Sequence, residues 1–403
     1  MSEPSAVPSD GNTRWRWLPV GVALAVWLGL LAMAVAPEWR PRVRSQLTWM
    51  IEPLFHDWHI VRLGWEAQAA GVDPLVDRTN PFNYPRFVLL AAEVGRLVPP
   101  NVAALAGAAV FLAALVGVLR PRTCGEGLLA AALVASPPVL LILERGNLDA
   151  WAFALVAAGA SAMAAARERV IVFSGGAAAI LVAALIKLYP VVVLPAAACL
   201  ARGRQRWVAL CAGVVVGGWL ALSLGEIALI LEKTTRGYVA AYGRAVALAR
   251  LAAEGGAPGL VAVLKSNFVL CAAGLAVGAL LGWRGRDRLA AAPYEPREAW
   301  WFVSGALIYA GTFFLGHNWA YRLVFIALCV PWLWRMARVP GARLWAVATL
   351  SGVAVTLLAP FHLSLGLFVA QQAVGWLIAF ALMTGAVALL SARLGACADA
   401  GRA

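Results

Sequence analysis

The chain has 403 residues, of which 62% are hydrophobic and 13% are charged, and its formal net charge is +13. Soluble domains are usually about half apolar and a quarter charged, so this composition excludes an ordinary soluble protein and indicates an integral membrane protein. The apolar stretches are long rather than alternating, which predicts spanning helices, and basic loops that fix topology explain the positive charge better than nucleic-acid binding does.

Twelve apolar segments are candidates to cross a bilayer, since a span needs about 17 to 25 residues. They lie near residues 18–36, 101–119, 128–144, 149–166, 170–186, 188–201, 207–231, 267–283, 299–316, 321–337, 344–362 and 368–391. We therefore expect an all-α polytopic membrane protein with one transmembrane domain at 18–391. Short tails at 1–17 and 392–403 flank it, and the first extracytoplasmic loop, 37–100, carries interfacial helices. The segment 86–98 is too short and too charged to span and is either an interfacial or a re-entrant helix.

The distribution of arginine predicts the orientation. Short connections between alternate spans, such as RPR at 120–122 and RGRQR at 202–206, fall on the same side as Arg14 and Arg16. The positive-inside rule then puts both termini in the cytoplasm. The opposite connections contain ERGNLD, KLYP and GHNWAYR and share their side with all four histidines. Because several kinds of polar side chain meet there, we expect the functional site on the extracytoplasmic face.

Residues 55–85 form the longest polar interruption of the apolar chain. Apolar residues at helical spacing over 51–66 predict a helix in the membrane interface, with Asp57 at the margin of its apolar face. Asp57 is either a general base that accepts a proton from an attacking hydroxyl or a solvated charge on that helix. Four further polar side chains of this stretch are candidate substrate contacts: His56, His59, Asn83 and Tyr84.

The connection ERGNLD carries both charges and an amide. Arg145 either pairs with Glu144 or binds an anionic group such as a phosphate. Asn147 is a candidate to bind sugar hydroxyls or backbone groups. Asp149 stands where a carboxylate caps the next helix, at the positive end of the helix dipole.

Two later connections add cations. In KLYP, Lys187 either extends to the interface or contacts a phosphate, and Tyr189 is by position an interfacial aromatic. GHNWAYR places four polar side chains within six residues: His317, Asn318, Tyr321 and Arg322. His317 is either an interfacial histidine or a donor to a departing phosphate, and Arg322 would neutralise that phosphate.

The sequence has no nucleotide-binding loop, and the spacing of Asp73 and Asp77 does not favour a metal site, so we expect neither a metal nor another cofactor. The six cysteines form no CxxC motif and are predicted to be buried small side chains.

Taken in order, several short motifs resemble those of the family 87 glycosyltransferases. They are an aspartate among aromatics at 55–58, GVDP followed by NPFNYP, then RGN, KLYP and N-x-x-Y-R at 318–322. The resemblance covers about residues 18 to 391 and implies a GT-C fold with a polyprenyl-phosphate sugar as donor. It implies Asp57 as the catalytic aspartate, and His317 matches the place of the family's histidine in the late outer turn and is the second catalytic candidate. It also implies that the donor phosphate is bound by Arg145, Lys187 and Arg322.

The chemistry of such a reaction agrees with these residues. A lipid phosphate leaves as an anion, so it needs cations, and one carboxylate base suffices for a single inverting displacement. We expect transfer of a sugar, which the resemblance implies is mannose, to a hydroxyl of a lipid or glycan acceptor at the outer face of the cell's inner membrane. The alternative is a secondary transporter or lipid flippase. Few charges lie in mid-span and no internal repeat is evident, which favours the enzyme.

Overall fold

The computed structural model describes residues 13–36, 53–234, 240–247, 249–250, 274, 276–285, 294–315, 318–361 and 363–400. Within these ranges the chain is mainly helical, and six helical segments are long and apolar enough to cross a membrane. They are Arg14–Val35, Pro100–Leu119, Cys124–Arg145, Val170–Lys187, Arg204–Leu222 and Leu365–Leu394. The prediction of an all-α membrane protein is confirmed at this level.

The α-helices that position the site follow one another with short connections. In chain order they are α1 (Trp17–Val35), α2 (His56–Ala69), α3 (Ala92–Gly95), α4 (Pro100–Leu119), α5 (Cys124–Val134), α6 (Pro137–Arg145), α7 (Asp149–Ala165), α8 (Val170–Lys187), α9 (Val193–Leu200), α10 (Arg204–Leu222), α11 (Leu224–Lys233), α12 (Pro296–Leu315), α13 (Val330–Met336), α14 (Arg343–Leu358) and α15 (Leu365–Ala400). The described ranges also contain 3₁₀ segments at Thr13–Arg16, Arg86–Ala91, Tyr189–Val192 and Ala320–Cys329.

Several predicted spans have different bounds in the structure. The span predicted at 128–144 starts at Cys124 and is interrupted before Pro137, because proline cannot donate to the preceding turn. The span predicted at 207–231 is divided at Ser223 into α10 and α11. Shorter apolar helices replace three others: Asp149–Ala165, Tyr189–Leu200 and Arg343–Leu358.

Helix α2 begins later than the sequence predicts. The expected helix over 51–66 starts at His56 and runs to Ala69, and residues 51–52 lie outside the described ranges. Asp57 shares a buried face with Val61 and Trp65, so it is enclosed rather than at the margin of an exposed interfacial helix. The stretch 86–98 forms only the 3₁₀ turn and α3, both too short to cross a bilayer.

Helices α7 and α8 pack closely against each other in the core. A Cβ atom added at Gly159 would lie 2.7 Å from the carbonyl oxygen of Gly176, and the reverse distance is also 2.7 Å. Small residues at a helix crossing let the backbones approach closely, which is a common way of packing helices in membranes. This contact fixes α7 against α8, whose ends carry Asp149 and Lys187.

A two-residue antiparallel ladder brings a late segment to the same region. Strand β1 (Ala241–Tyr242) pairs with β2 (Asn318–Trp319), with Ala241 opposite Trp319 and Tyr242 opposite Asn318. The N–H of Ala320 also donates to the carbonyl of Ala240 at 2.7 Å. Trp319 and Arg322 are thereby held near the ends of α6 and α8.

Candidate active site

Asp57 lies in the first turn of α2 and its side chain is only 3% exposed. The guanidinium of Arg145 donates to both of its carboxylate oxygens, with Nε 2.8 Å from Oδ2 and Nη2 on Oδ1. The amide Nδ2 of Asn147 also donates to Oδ2. Asp57 is therefore neither solvated nor on an open face. It is a buried carboxylate held by a bidentate arginine, the geometry that makes charged pairs strong and directional.

Three residues with left-handed backbone conformation flank the charged groups of the site. Phe55 has φ 63° and immediately precedes α2, Gly146 has φ 59° and ends α6, and Leu188 has φ 47° and ends α8. Non-glycine residues pay roughly 1–2 kcal/mol for this conformation, so Phe55 and Leu188 store backbone strain that the surrounding packing must offset. Each turns the chain next to Asp57, Arg145 or Lys187.

Gly146 meets a second constraint besides its left-handed conformation. A Cβ atom there would lie 3.1 Å from the Cβ atoms of both Ala104 and Phe55. Glycine is the usual residue at this position after a helix because it has no such atom. The sequence RGN therefore ends α6 sharply and leaves Arg145 and Asn147 on either side of the turn, both bonded to Asp57.

Asp149 is the second buried carboxylate of the site, and its solvent exposure is 0%. Its Oδ1 accepts a hydrogen bond from the hydroxyl of Tyr189 at 2.6 Å and lies 3.4 Å from Lys187 Nζ. Its Oδ2 lies 3.6 Å from Nε of Arg322. The expectation that Asp149 caps α7 is wrong in detail, because Asn147 Oδ1 accepts the Asp149 N–H at 2.8 Å and the Asp149 carboxylate faces the cations.

Aromatic rings cover the cations on their remaining sides. Lys187 Nζ lies 4.4 Å from the ring centre of Tyr84, and the guanidinium carbon of Arg145 lies 5.3 Å from that of Trp319. The guanidinium carbon of Arg322 lies 5.3 Å from the ring centre of Tyr189. Cation–π contacts at these distances stabilise charges that have left bulk water. The side chain of Lys187 is thus enclosed within the site and only 9% exposed.

These groups border a cavity of about 240 Å³ that is partly open. Among the described residues, its wall includes four cationic side chains, Arg145, Lys187, Lys233 and Arg322, and one carboxylate, that of Asp57. Asp149 lies behind the wall against two of the cations. With both carboxylates counted against the four cations, the site carries a formal charge of about +2 if all groups are ionised at neutral pH.

The structure brings most of the predicted site residues to this cavity. Eight of them line it: His56, Asp57, Asn83, Tyr84, Arg145, Lys187, Tyr321 and Arg322. Three others lie behind the wall and bond to its charged groups, namely Asn147 to Asp57, Tyr189 to Asp149 and Asn318 to Arg322. His59 does not line the cavity. His317 lies outside the described residues.

Burial shifts the pKa values of the titratable groups on the α2 side of the cavity. Burial lowers the pKa of His56, against the opposing effect of nearby Asp57, so the neutral imidazole is favoured. Its Nδ1 is buried and has no hydrogen-bond partner within the described part of the chain. Burial also raises the pKa of Tyr84 well above its ordinary value, so its hydroxyl stays a donor at neutral pH. The α2 side of the cavity thus offers the imidazole nitrogen of His56 and the phenol of Tyr84.

Lys233 and Trp319 were missed by the sequence reasoning. Lys233 ends α11 and its Nζ donates to the carbonyls of Pro74, Asp77 and Asn80 at 2.6, 2.6 and 2.9 Å. These bonds hold the loop that leads to Asn83 and Tyr84. A lysine at the end of an apolar helix is a common interfacial residue, so no local signal distinguishes it.

Comparisons of the chain with protein-family models, with curated proteins and with solved structures each give no match. The resemblance to family 87 glycosyltransferases therefore rests on the order of short motifs, and the activity has to be argued from the residues of the site.

Proposed function

We propose that the chain is a membrane glycosyltransferase that moves a sugar, mannose by the motif resemblance, from a polyprenyl-phosphate donor to a hydroxyl of a lipid or glycan acceptor. The observation that carries this proposal is the buried carboxylate of Asp57 on the wall of a cavity in which cations outnumber carboxylates. The proposal includes a GT-C fold with about twelve spans, cytoplasmic termini and a site at the outer face of the inner membrane.

The charge of the site suits the leaving group. A polyprenyl-phosphate sugar carries one negative charge, and the monophosphate that departs carries about −1.5 to −2 at neutral pH. The formal charge of about +2 that surrounds the cavity would therefore be better matched to the departing phosphate than to the intact donor. Stabilising the charge that develops during the reaction is the usual largest contribution to catalysis.

Asp57 is suited to act as the base. The acceptor oxygen attacks C1 of the sugar, the bond between C1 and the phosphate oxygen breaks with its electron pair, and the acceptor proton passes to Asp57. Oδ1 of Asp57 accepts one hydrogen bond, from Arg145, so it retains a lone pair for that proton. A donor phosphate that competes for Arg145 would free the carboxylate of Asp57 to accept the hydrogen bond of the acceptor hydroxyl.

The remaining wall residues fit substrate contacts. The buried Nδ1 of His56 has no partner among the described residues, and a sugar or acceptor hydroxyl would supply one. Asn83 lines the same wall and offers both a donor and an acceptor. Such a site recognises a polyhydroxylated group next to an anion, which describes a sugar phosphate.

The position of the charges favours this activity over transport. Arg145 and Lys187 are the last residues of α6 and α8, and Asp149 is the first residue of α7. Transporters usually bind their substrate near the middle of the bilayer, between broken helices. A charged site built from helix ends supports chemistry at the membrane surface, where a lipid phosphate lies.

The test is transfer by the purified protein. Polyprenyl-phosphate [³H]mannose is incubated with the protein and a panel of lipid and glycan acceptors, and labelled product is separated from donor. Asp57→Asn should lower turnover by at least about 100-fold, the usual contribution of a general base. Glu66→Gln, an exposed carboxylate on the same helix, should keep full turnover. Undiminished turnover by Asp57→Asn would remove Asp57 from the mechanism, and absence of transfer with every acceptor would contradict the proposed activity.

A further inference from the structure

A second charged cavity, of about 390 Å³, lies at the opposite end of the helices. Glu126, in the first turn of α5, lines it, whereas Arg145 at the end of α6 lines the candidate active site. The α5–α6 segment between these residues spans about 28 Å at 1.5 Å per residue. The two cavities are therefore separate, and no role in glycosyl transfer accounts for the second one.

Five arginines converge on this second cavity, and two of them are already paired. Arg122 lies 2.9 Å from Glu298, and Arg338 pairs with Glu126. Glu298 is also bound by Arg335 at 2.6 Å. These two carboxylates are thereby fully engaged by cations.

The other three arginines, Arg16, Arg120 and Arg297, line the cavity without an ion pair to any carboxylate in the described part of the chain. They come from three separate elements: the turn before α1, the residue after α4 and the first turn of α12. Burial lowers the pKa of Arg120, the charges of Arg297 and Arg16 lower it further, and the charge of Glu295 raises it. Arg120 therefore lies close enough to both other arginines to be repelled by them.

Topology alone does not require this convergence. The positive-inside rule needs basic residues in the loops of one face, but it does not need them to meet around one cavity. Three unpaired guanidinium groups in one place raise the energy of the folded state unless an anion joins them. The cavity also has apolar walls, formed in part by Trp301 and Trp334. Basic pockets between membrane helices are typical sites for phosphate headgroups.

We infer that the cavity lined by Arg16, Arg120 and Arg297 binds a phosphate group, either the headgroup phosphate of an anionic lipid or a free phosphate. The guanidinium groups bind phosphate oxygens through charge-assisted hydrogen bonds, and the fork of each guanidinium matches two of them. Glu295, the remaining carboxylate on the wall, opposes binding by its charge.

The test is a binding titration on the full-length protein in neutral detergent, followed by the thermal unfolding midpoint at constant ionic strength. The probes are dioctanoyl phosphatidylglycerol, dioctanoyl phosphatidylcholine and inorganic phosphate. A ligand that binds only the folded state raises the midpoint in proportion to its occupancy, so each titration gives an apparent Kd. Phosphatidylglycerol alone raising the midpoint assigns the site to a lipid headgroup, and inorganic phosphate also raising it assigns the site to phosphate in general.

Variants decide whether the effect belongs to this cavity. The double variant Arg16→Gln/Arg297→Gln should bind the anionic probe about tenfold more weakly, because each arginine near an anionic headgroup contributes severalfold. Glu295→Gln should bind it more tightly, which a merely destabilised protein would not do. Arg343→Gln, at the start of α14 and not on the cavity wall, should bind like the original protein. Equal binding of phosphatidylcholine, or unchanged binding by both the double variant and Glu295→Gln, would overturn the inference.

Discussion

The pair between Asp57 and Arg145 allows stability and catalysis to be separated. The two side chains are 3% and 11% exposed, so each charge depends on the other. Removing one member of a buried pair usually costs about 3–5 kcal/mol, since the partner remains as an uncompensated charge. We expect Asp57→Asn and Arg145→Gln each to lower the free energy of unfolding by about 3 kcal/mol, toward the low end because both replacements keep hydrogen-bonding groups.

The double variant Asp57→Asn/Arg145→Gln should be less destabilised than the sum of the single variants by about 2–3 kcal/mol, because neither buried charge remains. Its transfer activity, however, should stay as low as that of Asp57→Asn, because the proposed base is still missing. Unfolding is measured by titrating sodium dodecyl sulfate into mixed micelles, and transfer is measured with labelled donor.

The exposed pair Arg62–Glu66 on the same helix is the matched control, since its members are 39% and 50% exposed. The matching two single variants and one double variant of this pair should give an interaction energy of only about 0.3–0.5 kcal/mol. Strict additivity at Asp57 and Arg145 would show that the pair does not form. Recovery of transfer together with stability would show that Asp57 acts only in folding.

Three further outcomes follow from the described contacts. Gly176→Ala should destabilise the protein by about 1–3 kcal/mol, because its Cβ would lie 2.7 Å from a carbonyl oxygen of α7, whereas Gly175→Ala meets nothing within 4 Å and should be neutral in detergent unfolding. Lys233→Met should speed proteolysis of the loop at 73–81, because three carbonyls lose their donor, and the exposed Arg78→Met should not; equal rates would contradict this clamp. His56→Gln should flatten the loss of stability in acid: burial lowers the folded-state pKa of His56 below about 6.5, so its contribution is complete above that pH and is lost as pH falls toward the folded-state value. If the unfolding midpoint of His56→Gln depended on pH as that of the original protein does between about pH 6.5 and 5, this role of His56 would be contradicted.

The sequence predicted the membrane class and the grouping of the site because both depend on local signals. Long apolar runs identify helices, and the alternation of arginine-rich connections assigns helix ends to two faces. Arg145 and Lys187 were therefore expected on one face, and the structure brings both to one cavity with Asp57. Alternation of faces places residues at an end of the bundle, but it does not determine which of them touch.

The partners within the site could not be predicted for this reason. The sequence offers Glu144 as a partner for Arg145, because a single sequence shows only nearby charges. The actual ion-pair partner of Arg145 is Asp57, which is 88 positions away. Asp149 was interpreted as a helix cap because carboxylates are common at that position. Its actual contacts, with Tyr189 and two cations, depend on the crossing of α7 and α8. The predicted span at 207–231 was wrong for a similar reason. Serine is common inside membrane helices, so Ser223 does not indicate in the sequence that the helix is divided there.

The last prediction concerns Asp149 and the proposed phosphate contacts of the candidate active site. Asp149 lies behind Lys187 and Arg322, the proposed phosphate contacts, and its negative charge repels an anionic ligand. On charge alone, Asp149→Asn would tighten binding. We predict weaker binding. Lys187 has a side chain only 9% exposed, and without Asp149 this buried ammonium would lose its ion-pair partner at 3.4 Å. A buried lysine without a partner tends to lose its proton or to leave its position, and either removes a proposed phosphate contact.

Binding of polyprenyl phosphate, measured by the shift in unfolding midpoint, should weaken about tenfold in Asp149→Asn and should not change in Asp77→Asn, an aspartate outside the cavity wall. Tighter binding by Asp149→Asn would show that Asp149 opposes the ligand instead of keeping its cations charged and in place.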